Sequence, residues 1–292
     1  MPELVRVPGG SNREPIFGGE SSRSVVSERM MRALARGHCR THLESWLTPK
    51  TVIVSHPKSG RTWLRAMFAE AGVGRVCFSH AGSSEQASLT ISSLRQIVSL
   101  WRHKRILLLI RDPRDTVVSF FFQATRRSRV FFGSFAEFVR DPTFGIERII
   151  EFNLLWLSEP TRFADFRLLT YEQLHRDTPT RFSEAAQFLT GRPLNEFNLK
   201  RAVNRSSFEA LHAMELSGEG RKRWGVRLSP GDRLDPESFK TRRGIIGGWR
   251  DSFSAGDEGY AAGLLKAHDY FARVRTVQRE LGSPATELPD AA

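Results

Sequence analysis

The stretch Thr51-Val-Ile-Val-Ser-His-Pro-Lys-Ser-Gly-Arg-Thr-Trp-Leu-Arg65 constrains the fold more than any other. Thr51 to Val54 is a β-branched run of strand type. Pro57 and Gly60 prevent strand or helix from continuing through the turn. Beyond Gly60, Trp63, Leu64, Met67 and Phe68 recur at helical spacing. The segment therefore predicts strand, tight loop, helix. Such a loop directs backbone N–H groups and a helix N-terminus toward one point, where they attract an anion. Lys58 inside the loop, with Arg61 and Thr62 at the helix start, adds side-chain donors, so a phosphate-like ligand is expected.

The same alternation continues along the chain. Arg75 to Ser79 predicts a second strand ending at His80, followed by a polar loop to Ser88 and a helix over Ile91–Trp101. Arg105 to Ile110 holds the run Ile-Leu-Leu-Leu-Ile, of the kind a parallel strand covered on both faces shows. Arg111-Asp112-Pro113 breaks it, and a helix carrying Val117, Val118, Phe121 and Phe122 follows. Helices are predicted over Ser134–Arg140 and Ile146–Leu157, a strand over Phe166–Thr170, and helices over Thr180–Leu189 and Asn195–Val203. Strands alternating with helices predict an α/β fold: a single domain with a central, mainly parallel sheet flanked by helices. Ligands of such sheets bind at the carboxyl ends of the strands. That places Ser55–Thr62, His80, Arg111 and Tyr171 along one rim.

Leu216 to Gly248 loses periodicity and is rich in Gly, Pro, Arg and Lys, which predicts a long ordered loop or lid. Asp257–Leu281 reads as one closing helix and Val25–Trp46 as an amphipathic one. The domain is expected over residues 24–282, with flexible segments at 1–23 and 283–292.

Composition narrows the function classes. Lys and Arg outnumber Asp and Glu by 44 to 32 in 292 residues, giving +12. That suits a polyanionic ligand. The arginines are scattered rather than gathered on one helix or arm, so nucleic acid is not the expected partner. Cys39 and Cys77 have no metal-ligand spacing and form no disulfide framework, as in a reducing compartment. No apolar run approaches the roughly 20 residues of a membrane span, and residues 1–23 lack the apolar core of a signal peptide. A cytoplasmic protein is expected.

The triphosphate-binding loop G-x-x-x-x-G-K-[ST] fits poorly here: Ser55 stands at its first glycine and Arg61 at its lysine. Pro57-Lys58-Ser59-Gly60-Arg61-Thr62-Trp63 instead resembles the 5′-phosphosulfate loop of sulfotransferases, P-K-S-G-T-T-W, with Arg61 for the first Thr. Those enzymes use 3′-phosphoadenosine 5′-phosphosulfate (PAPS). Four further segments resemble the family, in its order along the chain. Arg111-Asp-Pro-Arg-Asp-Thr-Val-Val-Ser119 is similar to its 3′-phosphate segment. Ser207-Phe208 is similar to the element whose Phe packs on adenine, and Tyr171-Glu172 to one beside the nucleotide. Arg242-Arg243-Gly244-Ile-Ile-Gly247-Gly248-Trp249-Arg250 resembles R-K-G-x-x-G-D-W-K, with Gly248 departing from the Asp.

The resemblance implies a P-loop-like sulfotransferase fold and PAPS as co-substrate, with no metal demanded. Lys58 would assist departure of the nucleotide, and Ser59, Gly60, Arg61 and Thr62 would hold the 5′-phosphate. Trp63 and Phe208 would pack on adenine. Arg111, Ser119, Arg242, Arg243 and Gly244 would grip the 3′-phosphate, and Ser119 would also restrain Lys58. His80 is the expected general base, with His56 in reserve. The acceptor would be a small molecule or a carbohydrate; Phe131, Phe132 and Trp224 are candidate pocket aromatics. Two other readings stay open: a nucleotide kinase with Asp112 as metal-binding acid, and a non-enzymatic basic module for polyanions.

Overall fold

Val52, Ile53 and Val54 are all fully buried, yet alternate residues enter opposite layers. The computed structural model describes residues 50–74, 76–80, 99, 101–158 and 160–282. All of these belong to the compact unit Thr41–Ala292. The expected arm at 1–23, the helix over 25–46, the loop at 81–88, nearly all of the helix over 91–101 and the tail at 283–292 lie outside the described residues. Four strands, β1 (Thr51–Ser55), β2 (Cys77–Ser79), β3 (Arg105–Ile110) and β4 (Asp165–Thr170), form one sheet in the order β2-β1-β3-β4. Every pairing is parallel, with Ile53 opposite Phe78 and Leu107, and Leu108 opposite Leu168.

Because strand side chains alternate with period two, each strand supplies both layers. Val52, Val54, Ile106, Leu108 and Ile110 enter one core, against α2 (Pro113–Phe122) and α4 (Ile146–Leu157). Ile53, Leu107, Leu109 and Leu169 enter the other, against α1 (Arg61–Glu70) and α6 (Thr178–Thr190). At roughly 1.5–3 kcal/mol per fully buried aliphatic side chain, these strands supply much of the drive to fold.

The helix after β1 lies in one layer and the helix after β3 in the other. The strand order therefore switches direction between β1 and β3, and the crevice at that switch opens beyond their carboxyl ends. Ser55–Gly60 and Arg111 occupy those two ends.

The remaining helices are α3 (Phe135–Arg140), α5 (Tyr171–Arg176), α7 (Glu196–Arg205), α8 (Phe208–Ser217) and α9 (Glu219–Trp224), with α10 (Ala255–Ala267) and α11 (Tyr270–Glu280) closing the chain. Two expectations need correction. The closing helix is two helices, broken at Asp269, whose φ of 49° is left-handed. The break lets Tyr270 turn inward, where its hydroxyl accepts a hydrogen bond from Asn153 Nδ2 at 2.8 Å. The expected lid is partly helical: α9 is held by an ion pair between Arg223 and the buried Glu70, and Leu228 and Phe239 are core residues. Among the described residues no helix is long and apolar enough to cross a membrane.

Candidate active site

A cavity of about 1090 Å³ opens at the switch crevice. Of the fifteen site residues expected from sequence, all but Ser59 line it. Ser59 is buried behind the loop with its hydroxyl unpartnered, and its N–H donates to the His56 carbonyl at 3.4 Å, which closes the turn.

The loop is built on two left-handed residues. Lys58 has φ 73° and Gly60 φ 97°. A Cβ on Gly60 would stand 2.7 Å from Tyr171 Cδ2, so only glycine fits there. Lys58 takes the same region with a side chain, at a cost of about 1–3 kcal/mol, and lines the cavity. Its pKa lies well below the lysine range, through burial first and then the charges of Lys240, Arg127, Arg111 and Arg242.

Tyr171 binds the parts together. Its ring packs on Gly60 and edge-on to Trp63, with centroids 5.6 Å apart. The Arg111 guanidinium lies 4.3 Å over it. Its hydroxyl donates to the Gly244 carbonyl at 3.3 Å, which a ring nitrogen of His175 also meets at 3.1 Å. Gly244 has φ 67°, and a Cβ there would lie 2.5 Å from Phe208 Cδ2. Gly244→Ala should therefore push Phe208 and the strap apart. The expected result is about tenfold weaker binding of 3′-phosphoadenosine 5′-phosphate (PAP) by calorimetry, with little change in melting temperature.

Around this hub stand the expected phosphate ligands. Arg111 donates to the Ile245 carbonyl at 2.9 Å and pairs with Asp115 at 3.6 Å, while its Nε is buried and unpartnered. Arg242 lies 4.1 Å over Phe122 and pairs with Glu237 at 3.0 Å; Arg243 pairs with Asp251. Ser119 lines the cavity from α2. Ser207 caps α8, accepting from the Ala210 N–H at 3.2 Å, and so fixes Phe208 at the first helical position, stacked on His212.

His80, at the end of β2, has Nδ1 2.6 Å from the Ser55 carbonyl oxygen. A carbonyl only accepts, so Nδ1 carries the hydrogen and Nε2 keeps its lone pair. Burial, and next the charge of Arg61, hold its pKa well below the ordinary histidine value. His56, the reserve, does not line the cavity: it is fully buried, edge-on to Phe120 and Phe152, with its pKa driven down to about 3 mainly by burial.

Asp112, the metal-binding acid of the kinase alternative, is buried and paired with Arg114 at 2.8 Å, away from the cavity. Among the described residues no three His, Cys, Asp or Glu side chains gather as metal ligands. Of the candidate pocket aromatics, Phe131 packs against Phe138 at 4.9 Å, Phe132 is exposed, and Trp224 packs in a small satellite core. None of them lines the cavity. Its apolar wall is formed instead by Phe120, Phe144, Val130, Val226, Leu228 and Pro230.

Sequence reading missed two buried carboxylates. Asp115 accepts from the Gly247 and Trp249 N–H groups at 2.8 and 3.0 Å, tying the 244–249 strap to α2. Its place in the first turn of α2, four residues after Arg111, was the available signal. Glu215 accepts from the Lys240 and Thr241 N–H groups and the Thr241 hydroxyl, at 2.8, 2.9 and 2.7 Å. Nothing local marks it.

A family profile described as the sulfotransferase domain matches residues 77–261. The chain is 27% identical over 169 residues to a 3-beta-hydroxysteroid sulfotransferase from Cavia porcellus, covering 51% of this chain and 50% of the relative. It is 28% identical over 159 residues to Sulfotransferase 2B1 from Rattus norvegicus, covering 54% and 39%. The chain thus spans half or less of the length of these relatives. The crystal structure of mouse sulfotransferase SULT7A1 complexed with PAP superimposes with a TM-score of 0.57 at 16% identity, covering 80% of this chain and 88% of the other. That likeness shows the fold.

Proposed function

The chain belongs to the sulfotransferase domain family, and from that premise we propose that it moves the sulfuryl group of PAPS to a hydroxyl or amine of an apolar small molecule. The observation that carries this reading is the single cavity lined by residues of every expected signature. The donor set fits the nucleotide: two glycines hold the loop and strap in left-handed turns, and Arg111 offers a buried Nε with no protein partner.

PAPS supplies an activated sulfuryl group and a leaving phosphate. The protein's part is positioning and charge around an in-line displacement. The Gly60, Arg61 and Thr62 N–H groups, at the start of α1, hold the 5′-phosphate. Arg111, Ser119, Arg242 and Arg243 hold the 3′-phosphate, with the Gly244 turn fixed by Tyr171. Trp63 and Phe208 flank the adenine. Lys58 neutralises charge developing on the bridging oxygen. His80 Nε2 accepts the acceptor's proton.

The apolar wall of Phe120, Phe144, Val130 and Leu228 favours a hydrophobic acceptor over a carbohydrate. The relative named for 3-beta-hydroxysteroids agrees with that choice. A cytoplasmic setting follows the same kinship. A concave cavity with an apolar wall also suits a small ligand better than the extended basic face a polymeric polyanion needs.

Calorimetric titration with PAP, 5′-AMP and ATP, without added metal, tests the reading. PAP should bind at least tenfold more tightly than either of the others. Equal binding of 5′-AMP, or preference for Mg-ATP, would refute it.

A further inference from the structure

Lys240 belongs to no recognised signature, yet it lines the same cavity as Lys58 and His80. Its backbone is not free to drift. The Lys240 and Thr241 N–H groups are both held by Glu215, a carboxylate only 1% exposed, and His212 Nδ1 lies 2.9 Å from the Thr241 hydroxyl. A buried carboxylate taking three donors is an expensive anchor to desolvate. It gives the segment just before Arg242 one defined position over the cavity.

Resting on the sulfuryl-transfer reading above, we propose that Lys240 is a positioning residue of the transfer centre, holding the sulfonate oxygens in line between Lys58 and His80. The electrostatics agree. Among charged neighbours Lys240 acts most strongly on Lys58, ahead of Arg127, Arg111 and Arg242. It also acts on His80, together with Arg61 and His56. All three side chains line one cavity, so a cation whose charge acts on both the leaving-group side and the acceptor side suits the sulfuryl group that must cross between them. Lys58 and the phosphate-binding arginines serve the nucleotide; Lys240 serves the group that PAPS carries and PAP lacks.

That difference supplies a test needing no acceptor. Lys240→Met keeps the backbone donor to Glu215 and removes the charge. PAP should bind the variant within about threefold of the parent, whereas PAPS should bind about tenfold more weakly. The His80 ring, followed by NMR and assigned with a His80→Gln spectrum, should titrate at higher pH, because a like charge no longer opposes protonation. Lys240→Arg should restore both properties. An unchanged ratio of PAPS to PAP affinity in Lys240→Met, or an unmoved His80 titration, would overturn the proposal. Failure of the parent protein to bind PAP would instead refute the sulfuryl-transfer reading on which it rests.

Discussion

His80→Ala should lower kcat/KM by about 10²–10⁴-fold, the range of a positioned general base, while PAP binds as before. The assay is transfer from sulfur-labelled PAPS to an acceptor found among phenols and hydroxysteroids, with calorimetry for the nucleotide. The geometry separates the two outcomes. His80 sits at the end of β2, and its hydrogen bond to the Ser55 carbonyl fixes a tautomer rather than a ligand contact. Ser55 is not among the groups assigned to the nucleotide. The pH dependence carries a sign as well. A histidine held below 6.5 by burial and by Arg61 is neutral, and so competent as a base, at pH 7. In kcat/KM for PAPS, which reports the free enzyme, the acid limb should therefore lie below pH 6.5. Near-normal turnover in His80→Ala would remove the assignment. His56 could not replace it, being sealed between Phe120 and Phe152.

The central loop was legible because its determinants are local. Pro57 and Gly60 dictate a turn, β-branched residues precede it and helical spacing follows, all within fifteen residues. The sheet was legible for a similar reason: a run such as Ile106–Ile110, apolar on both faces, has few other places to lie. What could not be read acts across long stretches of chain. Asp115 meets its N–H partners more than a hundred residues away, and Glu215 meets Lys240 from another helix. Their carboxylates look like ordinary helix-surface charges until the strap folds over them. The break at Asp269 was invisible for another reason. Neither Gly nor Pro marks it, and the turn is imposed by the burial of Tyr270 and Phe271. The candidate aromatics failed similarly: Phe131 packs on the core and its neighbour Phe132 faces solvent, which leaves neither for the cavity.

Lys58→Met should reduce kcat by about 10²–10³-fold, the loss seen when one preorganised donor to developing charge is removed, with PAP affinity falling less than tenfold. Lys58 holds a left-handed conformation that methionine would share, so the backbone penalty is the same in both proteins and the difference isolates the ammonium. A second signature distinguishes it from the neighbouring arginines. Burial and four surrounding cations push the Lys58 pKa well down. An anion placed among those cations reverses the local field and raises it again. Nucleotide binding should therefore take up protons, and increasingly so as pH rises through the free-state pKa of Lys58. Affinity for PAP should weaken over that same interval, since the protonated lysine binds the anion better. Calorimetry in buffers of differing ionisation enthalpy measures the uptake directly, and in Lys58→Met it should largely vanish. Arginines stay protonated across the accessible range and cannot supply such a signal, so proton uptake persisting in the variant would show that the anion's charge is met elsewhere than at the loop lysine.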